Sequence, residues 1–245
     1  MRNFKVTIAF LGTAYHGFQR QDGGLKTVQG EIERAINKLL GETVTINGCS
    51  RTDAGVHANC FVFNVFLEST IDERGLQYGL NGVLPPDISV KSVELAPDDF
   101  HARYHCKGKE YVYLIHNSEI KSPFLADRMY RSWYPIDAEK LDRACKDYIG
   151  EHDFKAFCAA ACDKEVTVRT IFDFKVEREG DTVKFTVSGD GFLYNMVRIM
   201  VGTLLFINDG KLTENAIPDI LSSCDRTRAG KTVPPQGLYL NKVYY

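Results

Sequence analysis

Little excess charge of either sign runs through this chain: lysines and arginines nearly balance the carboxylates, leaving a formal net charge of −2. That excludes a globally basic nucleic-acid coat. It leaves room for a local basic cleft, because charge distribution and not the sum sets the local field. A long apolar run is also missing. The most apolar helical stretch, Phe192 to Ile207, is broken by Asn195 and Arg198 and falls short of the ~20 residues a bilayer span requires, so no membrane partner is expected. Met1-Arg2-Asn3-Phe4 leads straight into a strand, with no secretory signal. The seven cysteines form an odd set without a regular framework. A chain this long needs no staples, which favours reduced thiols and a cytoplasmic location. Neither a P-loop nor a dinucleotide fingerprint is present. His101 and His105 are spaced i, i+4, as are Cys158 and Cys162, but neither pair has a second ligand pair at a zinc-site distance, so no metal is expected.

What is present is a globular composition: 245 residues, 44% hydrophobic and 25% charged, enough for one large domain or two of ordinary size. Phe4 to Leu11 alternates as a strand. Thr27 caps a helix whose apolar face holds Val28, Ile32, Ala35, Ile36, Leu39 and Leu40, and Gly41 ends it. Val44 to Gly48 and Cys60 to Leu67 read as strands. Asp72 caps a helix from Glu73 to Leu84, stopped by Pro85-Pro86, and Ile88 to Leu95 is a further strand. This β-α-β-β-α-β order is the split pattern of a ferredoxin-like sandwich. The order then returns: a strand over Glu110–His116, a helix over Asp137–Ile149, a hairpin of Arg169–Glu177 and Thr182–Ser188, helices over Leu193–Ile207 and Glu214–Leu221, and a closing strand over Gly237–Tyr244. The expected class is α+β, two ferredoxin-like (RRM-like) halves, residues 1–100 and 101–245, around a central antiparallel sheet with a cleft between them. The segment Asn117–Tyr134 has no clean period.

Chemistry concentrates in Cys49-Ser50-Arg51-Thr52-Asp53-Ala54-Gly55-Val56-His57-Ala58, a connection between two strands. Its plain reading is a turn in which Asp53 accepts backbone N–H bonds. Two cations argue for more. Arg51 shares the same small space, and Arg198 stands inside an apolar helix where an unpaired charge is very costly and an acid partner is expected. Asp53 suits that partnership, which would keep it ionised and usable as nucleophile or base. Tyr111 follows a segment with three cations, Arg103, Lys107 and Lys109, against Glu110. It reads either as core or as a face on which a base stacks, with cations for phosphates. The loop carrying Tyr15, His16, Phe18, Gln19 and Arg20 suits RNA contact and equally an ordinary surface loop.

Taken in order, these blocks resemble the tRNA pseudouridine synthase A family over nearly the whole chain. Ser50 to Ala58 is similar to the family's catalytic motif, and Tyr15-His16-Gly17-Phe18-Gln19 to its first loop. Phe100-His101-Ala102-Arg103 and Lys107-Gly108-Lys109-Glu110-Tyr111 resemble the entry to its second half. Gly191 to Arg198 and Pro234 to Leu240 resemble its later blocks. Two departures are Ser50, where glycine is frequent, and Phe18, where tryptophan is common. The resemblance implies that Asp53 is the catalytic aspartate, that Tyr111 packs on the target uracil, that Arg198 pairs with Asp53, that Arg51 helps extrude the nucleotide, and that Leu240 contacts the substrate. It implies conversion of uridine to pseudouridine at positions 38, 39 and 40 of the tRNA anticodon arm, by a homodimer without a cofactor. The target base must leave its stack, at a cost of about a few kcal/mol that stacking and phosphate contacts offset.

Two other readings compete. A non-catalytic RNA-binding protein of two RRM-like halves would bind without forming product, but neither half shows an aromatic RRM signature. A metal-dependent hydrolase would draw on Asp53, His57, His101 and His105.

Overall fold

A computed structural model describes residues 1–21, 23–159 and 166–245. The chain is a mixed α+β protein of two compact units, one formed by Met1–Lys107 with Tyr239–Tyr245 and the other by Gly108–Leu238.

In the first unit, strand β1 (Arg2–Phe10) buries Phe4, Val6 and Ile8 and turns Lys5, Thr7 and Ala9 away from the core, as its alternation dictates. It pairs antiparallel with β3 (His57–Leu67) on one side and β4 (Ile88–Ala96) on the other. The far edge of β3 is shared. Its C-terminal half pairs antiparallel with β2 (Asn47–Gly48), and its N-terminal end pairs in parallel with β10 (Leu238–Tyr244), through Tyr239 opposite His57 and Leu240 opposite Ala58. Helix α1 (Val28–Leu40) starts where the Thr27 hydroxyl accepts the Gly30 N–H and stops at left-handed Gly41. Helix α2 (Glu73–Val83) starts on the Asp72 carboxylate. Val28, Ile32, Ala35 and Ile36 of α1 and Leu76 and Leu80 of α2 are buried. Asn3 and Asn64, both fully buried, tie the following connection down. Asn64 donates to Asn3 and accepts the Ala102 N–H, while Asn3 donates to the carbonyls of Pro97 and Phe100.

In the second unit, β5 (Gly108–Asn117), β9 (Thr182–Gly189), β8 (Val168–Glu179) and β7 (Gly150–Asp153) pair antiparallel in that order, and β6 (Tyr130–Ser132) runs parallel to β5. Helix α3 (Ala138–Cys145), capped by Asp137, continues as a 3-10 turn over Lys146–Tyr148. A buried aromatic cluster of Tyr148, Phe154, Phe157 and Phe174 forms part of the core. Helix α4 (Met196–Asn208) is apolar on nearly every face because nearly every face is buried; α5 (Ile217–Ser223) follows. Among the described residues no helix is long and apolar enough to cross a membrane.

Differences from the sequence reading are local. The segment Val44–Gly48 forms only the two-residue β2, whereas β3 begins three residues before Cys60. The short strands β6 and β7 carry no readable period. Helix α4 begins at Met196 and not Leu193, because Asn195 adopts a left-handed backbone, φ 61°, that no α-helix accommodates. Cys49, Cys60, Cys106, Cys145 and Cys224 are reduced, but Cys158 is disulfide-bonded, against the expectation of reduced thiols throughout; Cys162 lies outside the described residues.

Helix α4 packs against the chain that follows α5 at backbone contact. A Cβ on Gly202 would sit 1.8 Å from the Lys231 carbonyl oxygen, and one on Gly230 2.4 Å from that of Gly202. The Gly230 N–H reaches the Thr203 hydroxyl at 2.8 Å. Gly202→Ala is therefore expected to lower the melting temperature by about 3–10 °C, from an overpacking cost of ~1–3 kcal/mol. A thermal scan returning the wild-type midpoint would contradict this packing.

Candidate active site

Residues Cys49–Val56 form the connection between β2 and β3, and the first loop of the chain clamps it. The Phe18 N–H donates to the Thr52 carbonyl at 3.2 Å, and the Gly55 N–H to the Tyr15 carbonyl at 3.3 Å. Inside the loop, the Val56 N–H closes a turn on the Asp53 carbonyl at 3.1 Å, and Gly55 takes φ 78° to allow it. Two glycines make the clamp possible. A Cβ on Gly17, itself at φ 88°, would lie 2.5 Å from the Thr52 carbonyl oxygen; one on Gly12 would lie 1.9 Å from that of Val56. The fully buried His57 accepts the Gly12 N–H on Nδ1 at 2.9 Å and packs its ring against Tyr239, centroids 4.6 Å apart. The result is an exposed Arg51, a buried Thr52 and a half-buried Asp53 on a segment that the backbone fixes. Such a carboxylate suits proton transfer or nucleophilic attack, which need a group held in one place.

Several residues expected to touch RNA have other contacts. The ring of Tyr15 is buried, its hydroxyl donates to Asp87 at 2.6 Å, and burial, reinforced by that carboxylate, pushes its pKa far above that of an ordinary phenol. Phe18 is buried and stacks on Phe61, centroids 3.9 Å apart. Both rings thus anchor the clamp from within the core, a correction to reading them as RNA-facing. His16, Gln19 and Arg20 are exposed, with Arg20 paired to Glu33 at 3.2 Å. Arg103 and Lys107 are exposed. Leu240 is fully buried beside Ala58, one strand from the Asp53 loop.

In the second unit, Lys109 and Tyr111 lie on β5, opposite Gly189 and Val187. Tyr111 is 6% exposed and meets Phe192 edge-on at 5.1 Å. Tyr113, on the same strand face, is fully buried and donates to the Pro234 carbonyl at 2.7 Å. Burial lifts its phenol well above the usual tyrosine range, with the Arg198 charge opposing. Arg198 is oriented by two of its five donors: Nε reaches the Val233 carbonyl and Nη1 the Asn195 Oδ1, each at 2.7 Å. The left-handed turn at Asn195 is what turns its amide toward the helix it precedes.

The histidines weighed as metal ligands hold backbone instead. Besides His57, His101 Nδ1 accepts the Arg103 N–H and His105 Nδ1 the His101 N–H, each at 3.1 Å. Gly12, Gly17 and Asn195 were not singled out from the sequence; the glycine spacing in the first loop and an asparagine just ahead of an apolar helical run were the available signals.

A family model described as tRNA pseudouridine synthase matches residues 6–105 and 144–245. Proteins named tRNA pseudouridine synthase A from Acetivibrio thermocellus and Ruminiclostridium cellulolyticum are 49% and 46% identical to this chain, each alignment covering 100% of both proteins. One from a Thermoanaerobacter species is 44% identical, again over the full length of both. The chain belongs to the tRNA pseudouridine synthase family. It is an isomerase of uridine in tRNA, and the competing readings as a passive RNA binder and as a hydrolase fall away. For this synthase the reaction needs no redox partner or group donor, since uracil leaves the ribose at N1 and returns through C5.

The clamp yields a direct test. Gly17→Ala forces an unfavourable φ and pushes the Thr52 carbonyl aside, so pseudouridine formation is expected to fall by more than about tenfold. A variant folded by circular dichroism that retains the wild-type rate would show that the clamp does not matter to turnover.

Proposed function

We propose that this synthase modifies uridines at positions 38, 39 and 40 of the tRNA anticodon arm, with Asp53 as its reactive carboxylate. The observation that carries the assignment is the glycine-cleared clamp, which holds a half-buried Asp53 between an exposed Arg51 and a buried Thr52. Tyr111 then packs on the extruded uracil, Arg198 supplies the countercharge to Asp53, Arg51 takes part in extruding the nucleotide, and Leu240 lines the substrate's seat. His16, Gln19, Arg20, Arg103, Lys107 and Lys109 meet tRNA phosphates. Residues 1–100 and 101–245 are read as variants of the ferredoxin-like sandwich, and the enzyme as a cytoplasmic homodimer that uses no metal or cofactor. For the first unit, the strand order β4-β1-β3-β2 supports that reading.

Chemically, Asp53 has three routes open: attack on C1′ of the ribose, attack on C6 of the uracil, or removal of the C2′ proton to give a glycal. Each detaches the base at N1, and after the base turns, C5 bonds to C1′ and loses its proton. Tyr111, with a phenol reference pKa of ~10, is a poor base at neutral pH and serves by stacking.

Asp53→Asn is expected to leave the melting temperature unchanged and tRNA affinity within about twofold of wild type while abolishing pseudouridine formation in uridine-labelled tRNA. Turnover near the wild-type rate would remove Asp53 from the chemistry. Asn195→Gly keeps the left-handed turn but deletes the contact to Arg198. It should cost about tenfold in turnover with little change in stability. An unchanged rate would mean that the orientation of Arg198 is irrelevant. Affinity for tRNA should also drop steeply with salt; a salt-insensitive dissociation constant would argue against phosphate contacts by these cations.

A further inference from the structure

Thr52 precedes Asp53 and is buried, and its hydroxyl oxygen is shielded from solvent yet makes no hydrogen bond. A buried hydroxyl without a partner destabilises a fold. Two other buried hydroxyls among the described residues share this condition, Tyr148 and Thr186, but they stand in the second unit's aromatic core and on β9. Only Thr52 sits on the clamped loop. Its carbonyl is pinned by Phe18, so the backbone fixes where the side chain begins. The bonds of 3.1–3.3 Å from and to the loop hold its backbone, so what can turn there is the Thr52 side chain, between the staggered positions about Cα–Cβ. The nearest acceptor along the chain that carries charge is the next side chain.

We propose that the Thr52 hydroxyl is a positioning group for turnover: when the extruded nucleotide is bound, it turns about Cα–Cβ, donates to the Asp53 carboxylate and holds it in its reacting orientation. This rests on Asp53 being the reactive group. A shielded hydroxyl does not reach tRNA, so it acts only through the loop that carries it. Its loss is therefore read in turnover and not in affinity. Because the free enzyme makes no bond with it, replacing it by an isosteric methyl does not destabilise the fold.

The test uses the full-length enzyme and a tRNA substrate, with Thr52→Val, Thr52→Ser, Thr186→Val and Asp53→Asn measured side by side. The expected result for Thr52→Val is an equal or higher melting temperature, an unchanged tRNA dissociation constant, and a single-turnover rate about tenfold lower. Thr52→Ser, which restores the hydroxyl, returns most of the rate, and Thr186→Val alters neither rate nor affinity. A lower melting temperature in Thr52→Val would show that the hydroxyl already has a partner in the free enzyme, and would overturn the proposal. So would an unchanged rate while Asp53→Asn is inactive. If Asp53→Asn itself keeps its rate, the assignment of Asp53 fails, and the proposal for Thr52 with it.

Discussion

Backbone-to-backbone contact between the first loop and the Asp53 segment is the constraint on which the site depends. Side chains at positions 12 and 17 would occupy space already held by the carbonyls of Val56 and Thr52. With glycine there, two hydrogen bonds and the His57 ring fix a segment that would otherwise be an ordinary surface connection. The sheet supplies the rigid support: Phe18 is held by Phe61 of β3, and Tyr15 by Asp87 just before β4. Core packing thus fixes the placement of a half-buried carboxylate.

The second unit handles a charge in the same way. Arg198 lies in a helix whose other residues are almost all apolar and buried, and the structure orients it through one carbonyl and one amide. The left-handed Asn195 is a costly conformation for a residue with a Cβ, and it is tolerated where the side chain gains a charged partner. Local strain of this kind, kept where it orients a charged group, is common at working sites.

Much of this was legible in the sequence because the signals are local. Thr27, Asp72 and Gly41 act within a turn of the helices they bound, and the alternation of β1 fixes its buried face. The order of motif blocks indicated the family. What was not legible depends on residues distant along the chain. Tyr15 and Phe18 sit in a polar, glycine-rich loop and look solvent-facing, yet their partners Asp87 and Phe61 come from other strands. The role of Gly12 needs Val56, more than forty positions later. The strands β6 and β7 are too short for a period to develop, and only their pairing to β5 and β8 defines them. Asn195 sets where α4 begins through a backbone conformation that residue identity alone does not specify.

Placement of a carboxylate, and not merely its presence, is what these contacts produce. The most direct measurement is the single-turnover rate of Asp53→Glu on tRNA, alongside its dissociation constant. Charge and chemical type are kept, and the carboxylate moves by one methylene, on the order of 1 Å, a displacement that costs about a hundredfold when geometry governs the rate. The expected outcome is unchanged affinity with a rate reduced by roughly that factor. A rate within a fewfold of wild type would contradict the account.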